Sequence, residues 1–283
     1  MKCFPKKAAG RFRGLFGLGL VLVPVTTFAA AVVPFTLTGS LPADDDVSSN
    51  RVPLGIDGAG GINFFGQSFT TVYVNNNGNV SFQLPLSQFT PNGLFTGVGF
   101  PLIAPFFADV DTEGTGSGVA TYGNAIYNGR AAFVADWLNV GYFDSNTNKL
   151  NSFQLILTDR SDTGAGNFDM EFNYNQIQWE TGDASGGRNG VGGTSAAAGY
   201  SNGLSGTGNI FYQLPGSLVN GAFLNGGPDS LAAGSLNSPT PGRYDFQVRN
   251  AQVLATTPEP MSIGLFAMGL AALLVGKKRV TRR

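Results

Sequence analysis

Residues 71–84 read TVYVNNNGNVSFQL, and this stretch decides the fold class of the chain. Two short runs rich in Val, Tyr and Phe flank a polar run at residues 75–79. Asn77 and Gly78 form a strong hairpin signal, because both residue types tolerate the positive φ that tight turns need. The stretch therefore predicts two antiparallel strands, 71–74 and 80–84, joined by a short turn.

The same pattern continues along the chain, with runs rich in Val, Ile, Phe, Tyr and Thr between clusters of Gly, Asn, Asp and Pro. No stretch of helical period stands out between residues 35 and 255, and no internal repeat is visible. Gly-rich stretches predict loops at 182–193 and 220–241. Further strands are predicted at 131–140, 153–158, 168–174 and 243–248. The sequence thus predicts an all-β fold, a single sandwich-like domain of mainly antiparallel strands.

Residues 1–31 predict a secretory signal peptide. A basic segment precedes an apolar run, and Ala29 and Ala31 supply the pair of small residues that a signal peptidase requires. The apolar run is short, broken by Pro24 and followed by no basic cluster, which favours cleavage after Ala31 over a retained membrane helix.

Residues 258–283 predict a second membrane-directed segment. Pro258, Glu259 and Pro260 precede an apolar run at 261–276, and the basic sequence KKRVTRR follows. The apolar run, slightly shorter than the roughly 18 to 20 residues of a comfortable spanning helix, predicts a C-terminal hydrophobic helix. The three parts resemble the PEP-CTERM sorting signal of Gram-negative bacteria. That resemblance implies transient inner-membrane anchoring, processing by an exosortase and export linked to extracellular polysaccharide; a retained tail anchor is the alternative.

Charge and composition exclude several classes of function. Residues 32–257 hold seven Lys and Arg against 17 Asp and Glu, a net charge of −10. A domain this acidic repels nucleic acid, so no nucleic-acid partner is expected. The chain has no His, and its one cysteine, Cys3, lies in the predicted signal peptide. Disulfides, thiol catalysis and the common zinc sites are therefore excluded.

Several phrases match one family pattern in order along the chain. Residues 72–82 read VYVNNNGNVSF, residues 103–111 read IAPFFADVD, and residues 172–179 read FNYNQIQW. Together they resemble the NIDO (nidogen-like) extracellular domain, over roughly residues 37–248, with residues 249–257 as a linker to the tail. The resemblance implies an extracellular, non-catalytic module associated with cell–matrix adhesion. The positions on these phrases that we interpret as structural are Asn75, Asn77, Gly78, Pro105 and Trp179.

Asp109, Asp111 and Glu113 are the candidate metal ligands. Their spacing of two places them on one face of a strand, or around a cation if they lie on a loop. Calcium prefers carboxylate and carbonyl oxygens, which makes it the one cofactor that the sequence suggests. The alternative is a turn in which the Asp side chains cap backbone amides. The run Asp44-Asp45-Asp46 is interpreted as a solvated acidic segment.

Two further groups of side chains suit a glycan. The amides of residues 75–79 could bind a sugar, although Asn in hairpins more often forms the turn. Trp137, Tyr142 and Phe143 could form an aromatic platform, although core packing is the commoner use of aromatic residues. The stretch at residues 193–197, GTSAA, is not a Gly-x-Ser-x-Gly motif, and the chain has no His to activate a serine, so a serine hydrolase is not supported. A glycosidase carboxylate pair stays open, because its separation depends on the fold.

The sequence therefore predicts an exported bacterial protein of the cell surface or extracellular matrix, with an adhesive or structural role and no enzymatic activity. Its expected partners are an exosortase, extracellular polysaccharide or other surface proteins, and transiently the inner membrane. A carbohydrate-binding module is the first alternative, and a glycoside hydrolase that uses two carboxylates is the second.

Overall fold

The computed structural model describes Met1 and residues 32–56 and 60–254. Ala29 and Ala31 of the predicted cleavage site lie outside the described residues, as do Pro258, Glu259 and Pro260 of the predicted sorting motif. Within the described ranges, no helix is both long and apolar enough to cross a membrane.

The described residues form β-strands and four short 3-10 helices. The strands are β1 (Thr36–Ser40), β2 (Val52–Pro53), β3 (Ile62–Phe64), β4 (Gln67–Phe69), β5 (Thr71–Asn75), β6 (Asn79–Ser81), β7 (Leu102–Phe107), β8 (Val110–Asp111), β9 (Ala120–Tyr127), β10 (Arg130–Tyr142), β11 (Asn146–Asp159), β12 (Phe168–Gln176), β13 (Ala197–Ser201), β14 (Phe211–Gln213), β15 (Arg243–Arg249) and β16 (Gln252–Val253). The 3-10 helices are Leu94–Thr96, Ser161–Thr163, Asp183–Ser185 and Gly206–Gly208.

Two sheets contain most of these strands. The large sheet has the order β1-β9-β10-β11-β12-β15-β16, and β8 also pairs with β10. The small sheet has the order β14-β13-β7-β6-β5-β2, and β3 and β4 form a separate hairpin. Every strand pairing between the named strands is antiparallel. The predicted all-β antiparallel fold is therefore confirmed.

The inner faces of the two sheets share one apolar core. Along β10, Phe133, Ala135 and Trp137 belong to this core, as the two-residue period of a strand requires. Trp137 stacks on Phe153 of β11, with ring centroids 5.2 Å apart. Val74 of the small sheet belongs to the same core. Full burial of one such side chain contributes about 1.5–3 kcal/mol, so the shared core holds the two layers together.

The predicted hairpin at residues 71–84 is present, with a shorter second strand. Asn75 pairs with Asn79 across the turn, and Gly78 has a φ of 72°. The second strand ends at Ser81 and not at residue 84. A bend follows, in which Ser81 Oγ donates to Leu84 O at 2.6 Å, and the chain leaves the strand direction there.

The domain extends beyond both of its predicted limits. At the C-terminal side, β16 (Gln252–Val253) pairs with β15, so these two residues of the predicted linker at 249–257 extend the large sheet. At the N-terminal side, Val33 is held on the outer face of the large sheet by Gln154, whose side chain accepts from Val33 N at 2.9 Å and donates to Val33 O at 2.8 Å. Val33 and Phe35 cover a small apolar patch there.

Candidate functional site

The two most specific family phrases form one structural unit. Asn77 Oδ1, in the β5–β6 turn, accepts a hydrogen bond from Val110 N at 2.9 Å. Gly78 O accepts from Phe106 N at 3.1 Å. A Cβ atom at Gly78 would clash with Phe106 O, so glycine is required for this close approach as well as for its positive φ. The turn and the segment after β7 therefore position each other.

The Asn run forms the turn and does not face solvent. Asn75, Asn76, Asn77 and Asn79 are fully buried. Asn75 Nδ2 donates to Asn79 Oδ1 at 2.7 Å, and Asn75 Oδ1 accepts from the backbone N–H of Leu86. These side-chain amides therefore make hydrogen bonds within the protein. The hypothesis that they bind a sugar is wrong.

The candidate aromatic platform is also absent, because its tryptophan and tyrosine lie in the core. Trp137 and Tyr142 are fully buried, and only Phe143 is half-buried. Trp137 Nε1 donates to the carbonyl oxygens of Asn75 and Asn76, which ties the core to the turn.

Pro105 and Trp179 also have structural contacts. Pro105 O accepts from the buried hydroxyl of Tyr174 at 2.6 Å. Trp179 is fully buried, its Nε1 donates to Val140 O at 3.1 Å, and its ring lies edge-on to Phe106. Both residues thus hold strands of the two layers in place.

Asp109, directly after β7, is the most unusual of the candidate ligands. The residue is 1% exposed, and Ser185 is the hydrogen-bonding group nearest to its carboxyl. Burial raises the pKa of the Asp109 carboxyl to about 7, the charges of Asp46 and Asp111 raise it further, and the nearby Ser185 opposes them. A Cβ at Gly182 would clash with Asp109 Oδ2, so this loop also packs directly on the carboxylate.

The acidic run near the N-terminus lies beside Asp109. Burial raises the pKa of the Asp45 carboxyl to about 7, and the charges of Asp46, Asp109, Asp111 and Glu113 raise it further. Asp45 and Asp46 are half-buried, and Asp45 Oδ1 has no hydrogen-bond partner. The interpretation of this run as a solvated segment is therefore wrong.

Asn76 lies beside the acidic run at residues 44–46. Its Nδ2 lies within hydrogen-bonding distance of three main-chain oxygens, those of Asp44, Asp45 and Val110. An amide has only two N–H donors. Its Oδ1 is buried without a partner. We call Asp45, Asp46, Asn76 and Asp109 the acidic cluster.

Asp111 and Glu113 have different surroundings from Asp109. Asp111 Oδ1 accepts from Glu113 N at 2.8 Å, and Asp111 Oδ2 accepts from Ser145 N at 2.7 Å. Asp111 thus caps backbone amides, the alternative that its spacing left open. Glu113 is exposed. In the part of the chain that the structure describes, no three His, Cys, Asp or Glu side chains are already grouped as a metal site.

A groove of about 530 Å³ crosses the outer face of the large sheet and forms the second candidate site. Arg160 pairs with Asp169 at 2.7 Å, and Arg243 pairs with Glu171 at 3.1 Å. Tyr127 O–H donates to Glu171 Oε2 at 2.9 Å. The polar side chains that line the groove are Tyr127, Asn128, Arg130, Thr158, Arg160, Asp169, Glu171, Asn237, Asp245 and Gln247. Hydroxyl-rich molecules make hydrogen bonds with such groups.

Glu171 and Asp245 form a carboxyl pair in this groove that sequence reasoning missed. They face each other in the register of β12 and β15. Burial raises the pKa of Asp245 to about 7, the adjacent Glu171 raises it further, and Arg243 opposes them. The two carboxyls are hydrogen-bonded to each other, whereas the carboxyls of glycosidase pairs lie about 5 Å or more apart. The alternation within each strand was visible in the sequence, but the pairing of the strands was not.

Comparison with known proteins identifies one family. Residues 70–250 match the model described as the nidogen-like domain, NIDO. Alpha-tectorin of Homo sapiens is 34% identical across 75% of this chain and 10% of its own length. Nidogen of Drosophila melanogaster is 32% identical across 34% of this chain and 9% of its own length. The chain thus spans about a tenth of these relatives, and no solved structure matches it.

Proposed function

Because the chain belongs to the nidogen-like domain family, we propose that it acts outside the cytoplasm as an adhesive or structural protein of the cell surface or extracellular matrix. The match over residues 70–250 carries this proposal, since tectorin and nidogen are extracellular matrix proteins. These relatives are structural proteins and not enzymes, which supports a non-catalytic role. The predicted leader at 1–31 and tail at 258–283 supply the route of export.

The proposed route includes transient inner-membrane anchoring and removal of the tail by an exosortase. Fractionation of the native host, with and without that exosortase, tests this route. We expect the processed protein at the cell surface or in the medium of wild-type cells, and a longer, membrane-bound form in cells without the exosortase. Uncut protein in the cytosol of wild-type cells would contradict the proposal.

The proposed ligand is extracellular polysaccharide, bound along the outer face of the large sheet. The groove supports this choice because it combines guanidinium, carboxyl, amide and phenol groups on a rigid sheet surface. A polymer that lies across the sheet would meet these groups in succession. The alternative, a carbohydrate-binding module for short oligosaccharides, uses the same groove and differs in the length of glycan that it needs.

Retention of the full chain on immobilised polysaccharide from the host tests the groove. We expect Arg130→Ala combined with Arg160→Ala to weaken retention at least tenfold, since both side chains line the groove. Lys149→Ala is compared with each single arginine variant as the control, because it also removes one positive charge but lies nine residues along β11 from Thr158, about 30 Å away. Equal retention of both variants would exclude the groove, and full competition by a disaccharide would favour the short-oligosaccharide alternative.

A further inference from the structure

A second pocket, of about 430 Å³, opens at the margin where the two sheets meet. Tyr212 of β14, in the small sheet, and Tyr244 of β15, in the large sheet, both line it. The ring of Tyr212 lies edge-on to Phe246 of β15, with centroids 5.8 Å apart, so the two layers are in contact there. Residues between 214 and 236 complete the lining, and we call this cavity the side pocket. Its volume is within the range of about 300–1,000 Å³ that small-molecule sites have.

The side pocket contains polar groups that the fold itself does not use. Within the described residues, the hydroxyls of Tyr212 and Tyr244 make no hydrogen bond. Ser230 is 7% exposed, and its hydroxyl is buried without a partner. Asp229 adds an exposed carboxylate. Unpaired polar groups that line a pocket are the usual means by which a ligand is oriented.

The two phenol groups keep their protons at neutral pH. Burial raises the pKa of Tyr212 above its ordinary value. Burial also raises the pKa of Tyr244, and the charge of Asp229 raises it further. Both hydroxyls can therefore donate as well as accept hydrogen bonds.

Apolar surface lies beside these polar groups. Pro215 and Pro228 line the side pocket and are exposed, and each tyrosine adds the apolar body of its ring. Among the described residues that line the pocket there is no Lys or Arg, and its one charged side chain is Asp229. An anionic ligand would therefore be repelled. A neutral sugar ring has what this lining fits, apolar C–H faces with hydroxyls around the edge.

The core and the backbone hold the side pocket in shape. Leu214 and Leu231 line it and belong to the shared apolar core. Asp229 N donates to Ala222 O at 3.0 Å, which fixes the loop that carries the carboxylate. A preformed site loses little conformational entropy when a ligand binds.

We propose that the side pocket binds one neutral sugar ring of a glycan, with the Asp229 carboxylate accepting hydrogen bonds from the sugar hydroxyls and the hydroxyls of Tyr212 and Tyr244 bonding to its oxygens. The inference rests on the proposed function in taking a glycan as the ligand, and it adds a second site with its own charge preference. Leu236 lines the side pocket and Asn237 lines the groove, so the two sites are neighbours.

Saturation-transfer difference NMR of the full chain tests the side pocket. The neutral probes are the methyl glycosides of glucose, galactose, mannose and N-acetylglucosamine, and the anionic probe is glucuronic acid. We expect at least one neutral probe to bind with a millimolar Kd and glucuronic acid to bind at least tenfold more weakly than that probe. Asp229→Asn should weaken binding of the neutral probe about tenfold and Tyr212→Phe about fivefold, because each removes hydrogen bonds to the sugar.

Asp183→Asn and Tyr73→Phe are the matched controls, since they make the same chemical changes at residues that do not line the side pocket. Both should bind the neutral probe as wild type does. All four substitutions nearly preserve side-chain size, and thermal unfolding checks that each variant is folded. Binding of no neutral probe, equal binding of glucuronic acid, or equal losses in the controls would overturn the proposal.

A last comparison separates the side pocket from the groove. The variant that combines Arg130→Ala with Arg160→Ala should bind the neutral probe as wild type does, even where it loses retention on polysaccharide. Loss of the sugar in that variant, with retention in Asp229→Asn, would place the sugar in the groove and overturn the side pocket. Retention on polysaccharide reports on the groove, so the two proposals can fail separately.

Discussion

At the scale of single residues, Gly78 shows how a local signal and a tertiary contact coincide. Its positive φ belongs to the hairpin turn and was predictable from the sequence. Its approach to Phe106 O depends on the packing of β7 against the turn, which no local pattern contains. Gly78 should therefore tolerate substitution less well than a glycine whose only role is to form a turn.

We expect Gly78→Ala to destabilise the protein by about 3 kcal/mol or more, because backbone strain and a clash with a carbonyl oxygen add together. Gly66→Ala is the control, since Gly66 has a φ of 83° but nothing within 4 Å of its added Cβ. Gly66→Ala should lower the free energy of unfolding by only about 1 kcal/mol. Urea unfolding measures both, and equal losses would show that the contact with Phe106 is unimportant.

Asp136 is a second residue whose burial has a measurable consequence. It is 3% exposed on β10, and its Oδ1 has no partner. Burial raises the pKa of its carboxyl to about 7, against a hydrogen bond with Gln154 that lowers it. The raised pKa means that the folded state holds the proton more tightly than the unfolded chain, so ionisation near neutral pH opposes folding.

Asp136→Asn should therefore raise the free energy of unfolding at pH 8 by about 1–3 kcal/mol. At pH 4 the wild-type carboxyl is protonated in the folded state, and the gain should largely vanish. Asp162→Asn, at an exposed ion pair with Arg130, serves as a comparison and should change stability little at either pH. A gain for Asp136→Asn that is equal at both pH values would refute the assignment to ionisation.

At the scale of elements, the sequence predicted several of the strands that carry large β-branched and aromatic residues, although it did not predict β7, which reads LIAPFF. The predictions at 131–140, 153–158, 168–174 and 243–248 are confirmed, and the structure extends each strand by one or more residues.

Strands built from small residues were missed. β13 reads AAGYS, and β9 contains Gly123, where a Cβ would meet Thr36 O. Small residues fit these positions because other parts of the chain cross there, and intrinsic β-propensity does not report such crossings.

The N-terminal segment gives a prediction at this scale. Gln154→Ala removes both side-chain hydrogen bonds to Val33. It should lower the free energy of unfolding by about 1–2 kcal/mol. Amide hydrogen exchange at residues 33–36 should accelerate, because the segment loses its attachment to the sheet. Gln247→Ala, at an exposed position of β15 on the same sheet face, is the control. Unchanged exchange at residues 33–36 would show that packing of Phe35 alone holds the segment.

At the scale of the whole molecule, buried acids determine how stability depends on pH. Burial raises the pKa of Asp45, Asp109, Asp136 and Asp245 to about 7 in each case. A carboxyl whose folded pKa is raised stabilises the protein fully below its unfolded pKa of about 4, and this contribution is lost as pH rises through the folded value.

The free energy of unfolding should therefore fall between about pH 4 and pH 7 and then level off. Urea unfolding across this pH range measures the fall. Stability that rises with pH over the same range would contradict the raised pKa values.

The site was less predictable than the fold. Motif phrases and alternation were sufficient for the family and the all-β class, and Asp109 was identified as a candidate ligand. Its neighbours Asp45 and Asp46 lie more than 60 residues earlier in the chain, and the groove pair Glu171 and Asp245 lies on separate strands. Such contacts arise from strand order, which residue patterns do not specify.

The order of the large sheet places its first and last strands at opposite margins, six inter-strand steps or about 29 Å apart along the curved sheet. The chain before β1 nevertheless lies over the middle of that sheet, because Val33 is hydrogen-bonded to Gln154 of β11. β11 is three inter-strand steps, or about 14 Å, from β16. A bulky reporter fused just before Val33 would therefore stand near a carboxyl-terminal tether, and a spacer should be placed between the two.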